Sequence, residues 1–320
     1  VKIKRNAAVS LFKGMARIRA IEDLLALIYP LGEMRTPTHF SIGQEAVSVG
    51  VIANLKNEDA VFASHRCHAA YLAKGGDMNR MTAELFGRVT GSCGGISGSA
   101  HLSSPEKNMF SAPILGSMVP VAVGAALSLS MDGKKNIAAV FCGDAAIEEG
   151  VFSESINFAV VKGLPVLFVC ENNFFSTHTH IKKRQPSIPI YKRISGLGIR
   201  AKRIDGNDVT EVYKASSKII NSMRKTSKPY FLECQTYRFK EHVGPNIDYD
   251  NPYRTRRELS YWMSKCPVKR MEQYLIKNRA LSPKGIQGIK DAAQKEAEDA
   301  VRFARRSAWP RIRDILKNVY

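Results

Sequence analysis

Five short apolar runs constrain this chain most: residues 60–63, 137–142, 166–170, 199–204 and 230–234, all rich in β-branched or aromatic residues and separated by segments of helix length. Runs of this kind are buried on both faces, and long intervening segments are what parallel strands require, because the chain must cross over between them. The spacing predicts an open parallel α/β sheet with helices on both faces. Gly143 directly follows one run and Glu171 another, so both fall at strand carboxyl ends, where such sheets bind ligands.

The flanks read differently. Between Leu11 and Ile28, apolar residues recur at three- to four-residue steps until Pro30 and Gly32, the pattern of an amphipathic helix. From Lys284 the chain is dense in Lys, Arg, Ala and Glu at helical spacing, is broken at Pro310 and resumes over 311–320. Three segments follow: an N-terminal helical segment (1–36), an α/β domain (37–265) and a C-terminal helical tail (266–320). The segment GSCGGISG (91–98) reads as a loop, with a plain linker as its simplest role.

Charge and cysteines narrow the class. The net charge of +19 asks for an anionic partner or a cationic surface, and basic runs at 182–184 and 302–313 keep nucleic acid in view, although no aromatic-interleaved binding motif accompanies them. The longest uncharged stretch, 111–131, contains Pro113, Gly116, Pro120 and Gly124, and no membrane span is predicted. Charges at Lys13, Arg17, Arg19, Glu22 and Asp23 interrupt any secretory leader, and the six cysteines include no C-x-x-C pair, so a cytoplasmic chain with reduced thiols is expected.

The sharpest constellation is Gly143-Asp144-Ala145 after one predicted strand, and Asn172-Asn173 after the next. A carboxylate and an amide oxygen at adjacent strand ends offer hard ligands to Mg²⁺, which also recruits phosphate oxygens. The competing reading has Asp144 capping a helix and the asparagines making a turn. Among the seven histidines, His65-x-x-His68 lacks a third ligand at suitable spacing for zinc.

Gly-Asp-Gly, about 26 residues, Asn-Asn resembles the cofactor motif of thiamine-diphosphate enzymes, with Ala145 here in the third place. The resemblance extends through THFSIGQEA (38–46), SHR (64–66), SGSAHL (97–102), PILGSMVPVAVGAAL (113–127), GDAAIEEGVFSESINFA (143–159), LPVLFVCENN (164–173) and ECQTYRFKEH (233–242). Over roughly residues 8–260 the chain is similar to the alpha subunit of the two-subunit 2-oxo acid dehydrogenase first component, of pyruvate dehydrogenase type.

That resemblance implies the diphosphate-binding half of a thiamine-diphosphate fold. Asp144 and Asn173 would ligate Mg²⁺ by side-chain oxygens and Phe175 by its carbonyl, with Asn172 bracing the turn. Arg66 would hold the diphosphate, beside His65 in place of the family's tyrosine. Gly143 and Ala145 would line the cofactor, Pro113 and Leu115 would contact its aminopyrimidine, and Leu115 would prop its bent shape. His39 and His242 fall where the family carries active-site histidines, and His101 lies in the glycine-rich loop; all three are expected in proton transfer. The glutamate at the pyrimidine would come from a beta subunit in an α2β2 assembly, with acyl transfer to a lipoyl-bearing acyltransferase.

Two departures qualify the substrate. Val243 follows His242 where many pyruvate dehydrogenase alpha chains have a serine-containing loop, phosphorylated in mitochondrial members, which admits another 2-oxo acid, acetoin or a transketolase-like donor. Ala145 and His65 also admit a catalytically silent scaffold. Ala145 is expected to be tolerated if its φ is negative. The arginines at 302, 305, 306, 311 and 313, beside Trp309, are expected to form a docking anchor for a partner.

Overall fold

A computed structural model describes residues 3–249 and 253–315. All five apolar runs are strands: β1 (Ala60–Ala63), β3 (Ala138–Gly143), β4 (Val166–Asn172), β7 (Arg200–Asp205) and β8 (Tyr230–Gln235). With β2 (Met109–Ser111) they form a six-stranded parallel sheet in the order β2-β1-β3-β4-β8-β7. A small antiparallel hairpin, β5 (Phe175–Ser176) with β6 (Thr179–His180), follows β4.

Alternation along the central strands builds two cores. Val61, Ala139, Phe141, Leu167, Val169 and Leu232 face one layer, whereas Phe62, Val140, Phe168, Cys170 and Phe231 face the other. The first layer takes in the N-terminal helix (Arg5–Ile28), the wholly buried helix Glu45–Ile52, and the tail helix Pro283–Arg306. The helices Arg5–Ile28 and Pro283–Arg306 of the two flanking segments thus pack into the same core as the sheet, through Leu11, Met15 and Ile18 on one side and Ala297, Ala300 and Ala304 on the other. Arg17 closes that contact with a bidentate bond to Glu296, Nε to Oε2 at 2.8 Å and Nη2 to Oε1 at 2.6 Å.

The helix Met118–Met131, in the second layer, carries no charged residue. It buries Val119, Ala122, Val123 and Ala126 yet leaves Val121 and Met131 to solvent, the latter 79% exposed. On the following helix, Gly150–Lys162, Val161 is 71% exposed. No helix among the described residues is long and apolar enough to cross a membrane.

The expected docking anchor in the tail is largely satisfied within the chain. Arg302 pairs with Asp299, Arg305 with Glu33 at 2.7 Å and Arg311 with Asp314, while Trp309 takes the Arg88 guanidinium 3.6 Å from its ring centre. The expected helix over 311–320 is present as Ile312–Ile315; residues 316–320 lie outside the described residues.

The segment 91–98 is no plain linker. Glu84, at the end of the helix Met78–Leu85, accepts four of its main-chain N–H groups: Cys93 and Gly95 on Oε2, Ser97 and Gly98 on Oε1, at 2.8–3.0 Å. Gly91 is required here because a Cβ would strike Glu84, and Gly95 because its φ is +77° with the Arg88 carbonyl against it.

Candidate functional site

The chain turns to either side of β1, next to β2 first and then β3, which leaves a crevice at their carboxyl ends. A cavity of about 310 Å³ lies there, lined by segments that leave β1 (Ser64, His65, Arg66), β2 (Pro113, Leu115), β3 (Gly143, Asp144, Ala145) and β4 (Glu171, Asn173). Phe175, His39 and His242 complete much of the wall. Of the expected site residues only His101 is not brought in; it is exposed on a 3₁₀ turn, with Nδ1 3.3 Å from the Ser97 carbonyl, and its neighbour Ala100 lines the cavity instead.

At the end of β3, Asp144 is 1% exposed, and burial raises its carboxyl pKa despite the opposing charge of Arg184. Ala145 has φ −77°, an ordinary right-handed conformation, so glycine is not required there. After β4, Asn172 Oδ1 accepts from the Phe174 N–H at 3.1 Å, and its Nδ2 donates to Glu233 at 2.8 Å. This brace holds Phe174 at φ +71° and bends the chain into the hairpin. Asn173 faces the cavity, its Nδ2 donating to Gln44 at 2.9 Å and its Oδ1 accepting from the Phe175 N–H at 3.2 Å.

Arg66 is buried without a bonded carboxylate. Its guanidinium donates to the backbone carbonyls of Phe40 and, at 3.2 Å, His242, and desolvation lowers its pKa to about 10. The same bonds explain how distant histidines meet. Gly244 N–H donates to the Thr38 carbonyl at 2.9 Å, which ties the loop after β8 to the segment carrying His39. The His39 ring centre lies 4.7 Å from that of His65 and 5.0 Å from that of His242. Burial, and then the Arg66 charge, lower their pKa values to about 2 for His39, 4 for His65 and 3 for His242, so all three are neutral imidazoles at pH 7. His68 points elsewhere, bonded to Glu22 at 3.0 Å and Ser99 at 2.8 Å.

Several lining or supporting residues had no role in the sequence reading. Glu171 is buried, and desolvation raises its pKa to about 7 against the lowering charge of Arg66. Its place at a strand end was legible; its burial beside Arg66 was not. Arg184, read only as part of a basic run, folds back to pair with Asp144 and Glu148. Beside it Gln185 Nε2 donates to the Asp144 carbonyl at 2.9 Å. Arg238, fully buried, donates to the carbonyl of cavity-lining Thr177 at 2.6 Å. The basic run 182–184 therefore does not present its arginine as a free phosphate contact.

The donor chemistry fits a metal diphosphate. A buried carboxylate and an amide oxygen at neighbouring strand ends suit Mg²⁺, a desolvated guanidinium suits phosphate, and His39 Nδ1 is a buried polar atom without a partner. Fold and cavity together define a cofactor-dependent enzyme of the open parallel α/β class, with its site at the topological switch point.

The chain belongs to the dehydrogenase E1 component family, whose model matches residues 13–313. It is 31% identical to the alpha subunit of acetoin:2,6-dichlorophenolindophenol oxidoreductase of Bacillus subtilis (strain 168), covering 100% of this chain and 95% of that protein. It is 31% identical to the pyruvate dehydrogenase E1 component alpha subunit of Rickettsia typhi (97% and 94% covered) and 32% identical to the chloroplastic alpha-3 subunit of Arabidopsis thaliana (99% and 75%). Over nearly its whole length it resembles the alpha subunits of this family, as its motifs implied.

Proposed function

We propose that the chain, with a beta subunit, binds Mg²⁺ and thiamine diphosphate in this cavity, decarboxylates a 2-oxo acid and passes the acyl group to a lipoyl-bearing acyltransferase. The observation that carries this reading is the meeting of Asp144, Asn173 and Arg66 in one cavity at three strand ends. Asp144 and Asn173 would hold the metal by side-chain oxygens, with the Phe175 carbonyl as a further ligand, and Arg66 would bind the diphosphate. The cofactor supplies, when bound, the nucleophilic carbon and the electron sink for loss of CO₂.

The remaining work falls to this chain's side chains. Leu115 and Pro113 present an apolar wall that orients the ring and excludes water. Burial and the Arg66 charge make His39 and His242 weak bases in the cofactor-free chain; a bound diphosphate would offset that charge and raise their basicity, which proton transfer to and from the substrate oxygen requires. The exposed apolar faces of the helices Met118–Met131 and Gly150–Lys162 supply surface for a partner subunit. Free thiols at all six cysteines accord with a cytoplasmic chain.

A second reading, acetoin as donor, is favoured by one observation: the acetoin:2,6-dichlorophenolindophenol oxidoreductase alpha subunit is 31% identical along this whole chain. Reconstitution with the beta subunit and assay of pyruvate, branched 2-oxo acids and acetoin, each with a lipoyl domain or an artificial dye as acceptor, tests both readings. Turnover of a 2-oxo acid only when both subunits are present supports the first, and turnover of acetoin alone supports the second. Turnover of pyruvate by the pure alpha chain, or cofactor binding that needs no Mg²⁺, would overturn the half-site proposal.

A further inference from the structure

We propose that His39, His65 and His242 form a second metal site in the cavity, a three-imidazole site for a borderline divalent transition metal of the Zn²⁺ or Co²⁺ type. The three rings come from separate segments, before the helix Glu45–Ile52, after β1 and after β8. Each offers one ring nitrogen, and these nitrogens all lie within 4.8 Å of one another. Tetrahedral zinc with nitrogen ligands needs nitrogen separations of about 3.4 Å, so small ring rotations bring the set to ligand geometry.

Other features of the cluster point the same way. His39 Nδ1 is buried with no hydrogen-bond partner, unlike His68, whose two nitrogens are both taken. Three protein nitrogens leave a fourth position open towards the cavity, the pattern of a reactive or inhibited site, since structural zinc is closed on all four sides. Ligand softness keeps the two sites apart: imidazole nitrogens select Zn²⁺, Co²⁺ or Ni²⁺, and the oxygens of Asp144 and Asn173 select Mg²⁺. Arg66 lies close enough for its charge to act on all three rings; that charge opposes a dication there, and an anion in the fourth position, hydroxide or a substrate carboxylate, would offset it.

The inference deepens the proposed reading, because a metal held here engages the lone pairs assigned to proton transfer and makes the enzyme sensitive to transition metals. The test uses the assembled, cofactor-free protein after chelator treatment, titrated with Co²⁺. One Co²⁺ per alpha chain is expected, with the strong visible d–d bands of low-coordinate nitrogen ligation, displaced by Zn²⁺ and unmoved by excess Mg²⁺. His65→Phe and His242→Phe, made separately and shown to keep the parent's melting temperature, should each weaken Co²⁺ binding by at least the roughly 10- to 100-fold that loss of an outer-shell partner costs.

Asp144→Asn should leave the bands intact while weakening Mg²⁺-dependent thiamine diphosphate binding. That pairing separates the two ideas: cofactor binding unaffected by Asp144→Asn defeats the cofactor reading alone. Parent-like Co²⁺ affinity in both histidine variants, displacement of Co²⁺ by Mg²⁺, or a sulfur-to-cobalt charge-transfer band from Cys93 would overturn the three-imidazole site.

Discussion

Replacing Arg184 by methionine should tighten Mg²⁺·thiamine diphosphate binding, although it removes a positive charge from beside a site for a polyanion. Arg184 is 11% exposed and pairs with Asp144, which is 1% exposed, and with Glu148. A cation reaching the Asp144 carboxylate must first displace that guanidinium, so in the parent protein part of the binding energy opens an ion pair. Truncating one member of a buried pair costs about 3–5 kcal/mol, mostly through the charge left behind. Metal binding recovers a share of this, since it restores a partner to Asp144.

Protonation of the uncompensated carboxyl, which burial already favours, offsets some of the gain. The coupling left should be about 1–3 kcal/mol, or roughly 5- to 150-fold in affinity. Trp262 packs at a tilt against Phe174, the neighbour of Asn173, with ring centres 5.5 Å apart, and its fluorescence can report the titration once Trp309 is replaced by phenylalanine. Calorimetry at several Mg²⁺ concentrations gives an independent value. Weaker binding in Arg184→Met would refute the reasoning and make Arg184 a diphosphate ligand; unchanged binding would mean the ion pair is not broken on loading.

Asp144→Ala should abolish Mg²⁺-dependent cofactor binding without unfolding the chain, checked by calorimetry beside a melting curve; parent-like affinity would sink the metal assignment. Ala145→Gly should leave cofactor affinity within about twofold, because φ is −77° and glycine adds only unfolded-state freedom. Glu171 has a folded pKa raised from 4.5 to about 7, so its contribution to stability is present below pH 4.5 and lost as pH rises through 7. Glu171→Gln should therefore stabilise the cofactor-free protein at pH 8 by up to about 3 kcal/mol, with the gain vanishing below pH 4.5; parallel melting-temperature profiles for variant and parent would exclude this.

What could be read from the sequence was set by the range of the interactions involved. Four of the five strands declared themselves because burial on both faces leaves an apolar run that local composition reveals; β7, at the sheet edge with only Ile204 of its residues buried, was marked by the isoleucines that bracket its basic residues. Strand β2 has three residues, Met109–Ser111, and the hairpin strands two each, too short for any periodicity. The metal and diphosphate candidates were legible because they sit at fixed offsets from strand ends. Arg184, Gln44 and Arg238 were not, since each acts through a partner far away in sequence: Asp144, Asn173 and Thr177. His101 falls outside the cavity lining, because a motif match fixes a loop's course but not the side of it on which a ring emerges. The tail arginines were visible as charge, and Asp299 stands three residues before Arg302 on one helix, within reach of local spacing, while Glu33 was assigned only by packing.

The link from Glu84 to the glycine-rich segment has a consequence for local melting. A chain this rich in glycine gives up about 1–2 kcal/mol of backbone freedom per residue on ordering, and it has few side chains with which to offset that. Here the order is supplied from outside, by one carboxylate that gathers the N–H groups of Cys93, Gly95, Ser97 and Gly98. These amides should then exchange with solvent as one unit, in a single opening event well below global unfolding. Because Ala100, just beyond the anchored stretch, lines the cavity, that opening should expose the cavity wall while the parallel sheet stays intact. The segment behaves as a hinged panel with a single latch, and the latch belongs to a neighbouring helix.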